Sequence, residues 1–189
     1  ISEGQLFGLE NIYDHYLSEG AADRMCAYLK ERWEKPGSRY HVMKEMFACL
    51  HKLEVLSADW PKKVRHYEKV LFGGGRKQYE ALHQYRMPDK IAEQLLSYFI
   101  YVYFAGAVYD GMPYSKVKLA VISTMLIEDM VCAKAAEKGQ LSFEAIADAA
   151  HSYAREVEHS DLNLQRLSTM FRHQKCFHIG KLCGALLEW

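Results

Sequence analysis

The chain carries no net charge, with 24 Lys and Arg against 24 Asp and Glu and a pI near 7.2. No whole-molecule field therefore recruits nucleic acid or an anionic membrane, and any partner must be met by a local surface. There is no cysteine cluster either. Cys26, Cys49, Cys132, Cys176 and Cys183 are an odd number, widely scattered, in a chain of 189 residues that needs no disulfide staples. This reads as a reduced, cytoplasmic protein. No signal peptide opens the chain, and the longest uncharged run, Gln94 to Tyr109, falls short of the ~20 residues of a spanning helix. That places the protein in solution, off the membrane. Internal repeats and low-complexity tracts are missing too, and the first residue is Ile1 rather than Met, which reads as a piece of a longer chain.

What is present is helical periodicity almost throughout. Leu6, Leu9, Ile12, Tyr13, Tyr16 and Leu17 form one apolar stripe, and Met25, Tyr28, Leu29 and Trp33 another. Lys35-Pro36-Gly37-Ser38 closes the second, because proline removes a backbone donor and glycine permits turn angles. A third helix carries Val42, Met46, Phe47, Leu50 and Leu53. Asp59-Trp60-Pro61 reads as a helix start capped by Asp59, and Gly73-Gly74-Gly75 as a flexible connector without phosphate-loop spacing. Met87-Pro88-Asp89 opens a helix from Ile91 to Tyr109 that is apolar on nearly every side and is expected to be central and buried. Its aromatic content would also suit a strand, but the chain offers no partner strand. Lys116 to Lys138 follows, with Leu119, Ile122, Met125, Leu126 and Met130 inward and Gly139 as terminator. Ser142 and Ser160 can cap two further helices, and Ile179 to Leu187 can form a last one. The expected fold is all-α, a bundle of about eight to ten helices without a sheet, in one domain over 1–189 with a sub-division near 73–88.

Acids three residues before a histidine occur at Glu80/His83, Asp148/His151 and Glu156/His159. This spacing puts both side chains on one helical face, as in bundles that hold two metal ions. With nine histidines and 24 acids, about one such pair arises by chance, and the site would also need inward acids, for which Glu45 and Glu128 offer themselves. Solvated ion pairs are the preferred reading. Cys176, His178 and Cys183 have no recognised zinc spacing, so no metal site is assigned. Lys62, Lys63, Arg65, His66 and Lys69 read as a solvated basic helix face; without interleaved exposed aromatics it argues only weakly for nucleic acid, and no nucleic-acid partner is assigned.

Two segments carry more. The run LLSYFIYVYFAGAVYDGMP has tyrosine faces, at Tyr98 and Tyr101 among others, that could receive an ammonium or sulfonium cation, or could simply pack a core. The signature SYAREVEHSDLNLQRL concentrates Arg155, Glu156, Glu158, His159 and Asp161 at a helix end. It can be a capped terminus. It can also be a site where Glu156 or Glu158 binds a cationic lysine and His159 helps remove its proton, since an amine is nucleophilic only when neutral.

An apolar segment followed at this distance by Arg155-Glu156-Val157-Glu158-His159-Ser160-Asp161 resembles the carboxy-terminal region of the flagellin lysine-N-methylase family, over roughly residues 87 to 171. The resemblance implies a bacterial, cytoplasmic methyltransferase that modifies lysines of flagellin with S-adenosylmethionine. It also implies a cysteine-rich amino-terminal part with a metal or iron-sulfur centre, which has no counterpart here. This chain would then be the helical carboxy-terminal domain, inactive alone. Its Glu156, Glu158 and His159 would be catalytic candidates, and Tyr98, Tyr101, Arg155 and Asp161 would touch substrate or cofactor. The missing amino-terminal part and flagellin would be its partners. A helical ligand-binding or interaction domain, such as the sensor of a regulator, is the alternative, with a dimetal carboxylate bundle behind it.

Overall fold

Glycine, proline and serine at the expected places divide the chain into short helices. A computed structural model describes residues 11–13, 15–33 and 38–187. Among the described residues there are ten α-helices and no strand: α1 (Ala21–Trp33), α2 (Ser38–Leu50), α3 (Trp60–Phe72), α4 (Gly75–Leu82), α5 (Asp89–Tyr103), α6 (Ala107–Asp110), α7 (Pro113–Lys138), α8 (Phe143–Val157), α9 (Asp161–His173) and α10 (Ile179–Leu187). Short 3-10 turns link α4 to α5, α5 to α6 and α9 to α10. The all-α expectation is met. Leu6, Leu9 and the Lys35-Pro36-Gly37 stop lie outside the described residues, while Ile12, Tyr13, Tyr16 and Leu17 are exposed.

The chain forms two compact units, Ile1–Arg39 with Ile179–Trp189, and Tyr40–His178. In the first, α1 meets α10 at Gly180 and Gly184, four residues apart on one helical face. A Cβ at Gly180 would stand 2.2 Å from the Trp33 ring, and one at Gly184 would stand 2.8 Å from the Trp33 carbonyl oxygen. Glycine is what permits this approach.

The second unit is built on α7. Pro113 starts this 26-residue helix, where a missing N–H costs nothing, and Gly139 ends it in the left-handed conformation at φ 70°. Leu119, Ile122, Met125, Leu126 and Met130 are all buried, as their spacing predicts. Helices α5 and α8 pack most extensively along α7, with α9, α3 and α4 also against it. Full burial of each such side chain contributes about 1.5–3 kcal/mol. Several polar groups that fall on the buried stripes are paired with one another. The Tyr153 hydroxyl meets Ser123 Oγ at 2.8 Å, and Tyr79 donates to Asp129 Oδ2 at 2.8 Å. His83 Nε2 lies 3.4 Å from the other Asp129 oxygen.

Three expectations need correction. Asp59 makes no side-chain cap on α3; its carboxylate pairs with Lys63 at 2.7 Å and accepts the Ser57 hydroxyl. The buried acid of α7 is Asp129, not its half-buried neighbour Glu128, and Glu45 is exposed. The largest departure is α5. Asp89–Asp110 is a 22-residue helical span of mean hydropathy 1.3, long and apolar enough by length and composition to cross a membrane, yet little of it is buried. Only Phe99 of α5 is fully enclosed. All-round burial needs neighbours on every side, and the described helices cover one. Tyr98, Ile100, Tyr101, Val102, Phe104, Val108 and Tyr109 remain exposed.

Candidate functional site

The polar signature occupies the end of α8 and the start of α9. Ser160 caps α9, its Oγ accepting the Asn163 N–H at 3.1 Å, as Ser142 caps α8 by accepting from Ala145 at 3.2 Å. Asn163 is fully buried and ties the 51–57 loop to this junction. Its Nδ2 donates to the carbonyls of Glu54 (2.9 Å) and Glu156 (2.7 Å), and its Oδ1 accepts the Glu54 N–H at 2.6 Å. Ser160 also donates to the Glu54 carboxylate at 3.0 Å.

Successive helical residues turn by about 100°, so Glu156 and Glu158 point to nearly opposite sides of α8. Glu158 faces α5. Its Oε2 accepts hydrogen bonds from both Tyr98 (3.0 Å) and Tyr103 (2.9 Å). Burial of the phenol ends, then the bonds to this carboxylate, hold both tyrosines above their ordinary range. The aromatic run and the signature, some sixty residues apart in sequence, thus meet. Beside them Lys90, Glu93, Gln94, Ser97, Tyr98 and Tyr101 line an open groove of about 590 Å³. Their spacing is that of one helical face. Tyr101 is 88% exposed.

Glu156 faces the other way and is 2% exposed. Its Oε2 accepts the Leu56 N–H at 3.0 Å, while Oε1 has no partner. It forms part of a small recess of about 50 Å³ between α3 and α8, lined by Ser57, Asp59, Trp60, Lys63, His151, Ser152, Arg155 and Glu156. The indole N–H of Trp60, a side chain 3% exposed, is also enclosed and unpartnered. A buried polar atom left unsatisfied costs about 1–3 kcal/mol. Arg155, His151, Asp59 and Lys63 form the exposed rim. The Lys63 ammonium, then the Ser57 hydroxyl, hold the Asp59 carboxyl down at about 2.

The predicted residues therefore divide. Tyr98, Tyr101 and Glu158 gather on the α5 side, and Glu156 and Arg155 on the α3 side. His159 and Asp161 are exposed. The acid-histidine pairs also separate, with Glu80 bound to Arg76 at 2.5 Å and Asp148 within 3.7 Å of Lys134. Among the described residues no three His, Cys, Asp or Glu side chains are placed to hold a metal ion. Cys49 and Cys176 do approach each other beside Gln174, with Cys49 Sγ donating to Oε1 at 3.0 Å. Their mutual hydrogen bond pushes the Cys176 thiol up. Two thiols and an amide do not fit an iron-sulfur centre, which takes four soft ligands.

Asn163 and Glu54 were not singled out from sequence. Asn163 and Glu156 did leave a trace, being polar residues on the apolar stripes of α9 (Leu167, Phe171) and α8 (Ala149, Tyr153). Searches of curated proteins and of solved structures gave no match. Residues 1–185 match the model of the FliB lysine N-methylase C-terminal domain, a span well beyond the 87 to 171 on which the sequence likeness rests. The chain belongs to the FliB lysine N-methylase C-terminal domain family.

Proposed function

We propose that this domain docks the lysine-bearing segment of the protein substrate, flagellin, in a cytoplasmic bacterial lysine N-methylase that takes its methyl group from S-adenosylmethionine. The observation that carries this reading is the tyrosine face of α5. An apolar helix face is exposed rather than buried, and Tyr98 and Tyr101 stand on it next to the carboxylates of Glu93 and Glu158. A lysine side chain matches both halves of that surface. Its methylene stem lies along apolar atoms, and its ammonium is attracted by tyrosine faces and carboxylates. Residues for the methyl transfer itself are assigned to the amino-terminal part of the enzyme, so the domain alone is inactive.

Tyr101 is nearly free of the fold, so Tyr101→Ala should leave stability within about 0.5 kcal/mol. If the face docks substrate, the same variant weakens flagellin binding by about 5- to 30-fold, the effect of losing a central aromatic anchor. Titration of labelled flagellin into the two proteins measures this. A change below twofold rejects the docking role, and so does binding of the parent to neutral lipid vesicles through this face in preference to flagellin.

A further inference from the structure

The six residues that line the tyrosine groove, Lys90, Glu93, Gln94, Ser97, Tyr98 and Tyr101, are all exposed and stand on one face of α5. The two ends of that face differ in charge. At one end Glu158 takes the hydroxyls of Tyr98 and Tyr103, a surface suited to a cation. At the other stands Lys90, in the first turn of α5, where the helix dipole adds to its positive charge. Its neighbour Asp89 is taken up by Arg86 at 3.4 Å, whereas Lys90 forms no ion pair among the described residues. A rise of about 1.5 Å per residue puts Lys90 about 12 Å along the axis from Tyr98 and about 17 Å from Tyr101. In an extended peptide, side chains four positions apart share a face and lie about 13 Å from one another. The two spacings agree. Glu93 stands between the ends, about 4.5 Å along from Lys90, and disfavours an acid any closer to the tyrosines.

We propose that this groove selects an extended substrate segment in which the lysine lies four residues from an acidic side chain, with the ammonium at Tyr98 and Tyr101 and the acid at Lys90. The proposal rests on the docking reading above and adds the sequence context that the docked lysine must have. Lys90 is its specificity-determining residue. A lysine without the acid meets the tyrosines alone and leaves Lys90 facing solvent. An exposed ion pair adds about two- to fivefold in affinity and is weakened by salt. That margin ranks lysines that are otherwise equally exposed on one substrate surface.

The test is titration of the protein into labelled, otherwise neutral peptides that each carry one central lysine, read by fluorescence anisotropy at low salt. Glutamate is placed three, four or eight residues from the lysine, on either side, with glutamine in its stead as the control. Glutamate at four, on one side, should tighten binding about two- to fivefold, and glutamate at three should not. Lys90→Gln should abolish the preference. Lys90→Glu should reverse the order of the glutamate and glutamine peptides and should bind best a peptide with a second lysine at that place. A general loosening of the fold would weaken all peptides alike without reversing their order. A gain below about 1.5-fold on both sides overturns the proposal, as does a preference that survives in Lys90→Glu. So does a gain only at eight residues, the spacing of a helical segment, about 12 Å. Tyr101→Ala separates this from the docking reading. Peptides that bind the parent and Tyr101→Ala equally, or bind neither, remove both readings. Peptides weakened by Tyr101→Ala but indifferent to glutamate leave the docking face standing and sink only the acid at Lys90.

Discussion

Asn163→Ala should be among the most damaging single substitutions in the Tyr40–His178 unit. The side chain is completely buried and makes three hydrogen bonds, to the N–H and carbonyl of Glu54 and to the carbonyl of Glu156. Each bond contributes about 1 kcal/mol net, and truncation leaves three backbone groups without partners, so the expected loss is about 3–5 kcal/mol. Domains of this kind are stable by about 5–15 kcal/mol, so the variant forfeits a large share. With a urea slope of about 2 kcal/mol per molar, the unfolding midpoint should fall by about 1.5–2.5 M. Hydrogen exchange gives a local check, because the Glu54 amide loses its acceptor and should exchange far faster in the variant. The loop it anchors carries Ser57 and the Leu56 N–H that holds Glu156, so the recess should loosen as well. A loss below about 1 kcal/mol, with the Glu54 amide still protected, would refute the claim that this side chain pins the loop.

Alkaline pH should destabilise the protein in a defined window. Burial, then the Asp148 and Glu137 carboxylates, push the Tyr67 hydroxyl up to about 12. An unfolded tyrosine titrates near 10, so this group's contribution is complete below about pH 10 and is lost between about 10 and 12, about 3 kcal/mol in all. Tyr153 and Tyr103 are raised in the same direction, each chiefly by burial. Urea midpoints that stay flat from pH 9 to 11.5, or a Tyr67→Phe variant that falls as steeply as the parent, would show the reasoning to be wrong. Thiol chemistry should be equally selective. Cys26 is exposed, Cys49, Cys132 and Cys176 are buried, and burial raises the half-buried Cys183. Titration with an aromatic disulfide reagent should give one fast thiol that disappears in Cys26→Ser, and two or more fast thiols would contradict this burial pattern.

Most of the fold was legible because its signals are local. Gly139 ends α7, whose start at Pro113 comes three residues before the Lys116 read from sequence, Ser142 and Ser160 start α8 and α9, and the spacing of Leu119, Ile122, Met125, Leu126 and Met130 named the face that is buried. The exposure of α5 was not legible. A helix apolar on all sides is equally suited to a core and to a surface that meets something else, and its periodicity is silent on which. The same limit applied to the polar signature. Contiguity in sequence suggested one site, whereas the rotation of α8 sends Glu158 to the tyrosines of α5 and Glu156 to Trp60 and Leu56. The partners on both sides come from positions about 55 to 100 residues away, a distance at which no local pattern reports contact.

The division also ties the two sides of α8 to each other. Glu156 and Glu158 stand two residues apart, one turned to the 51–57 loop and the other to the tyrosines of α5, so a single rigid segment fixes the position of both carboxylates. The segment is held at both ends, by Ser142 at its start and by Asn163 across the Glu156 carbonyl at its finish. A substitution that loosens the α8–α9 junction without touching either carboxylate, such as Ser160→Ala, should therefore disturb both sides together. It removes the cap that accepts the Asn163 N–H and the hydroxyl that donates to Glu54, at a cost of about 1–2 kcal/mol in stability. Hydrogen exchange at the Leu56 amide, which Glu156 holds, read beside flagellin titration into Ser160→Ala, tests this coupling, and a variant that changes one while sparing the other would show that the two sides of α8 act independently.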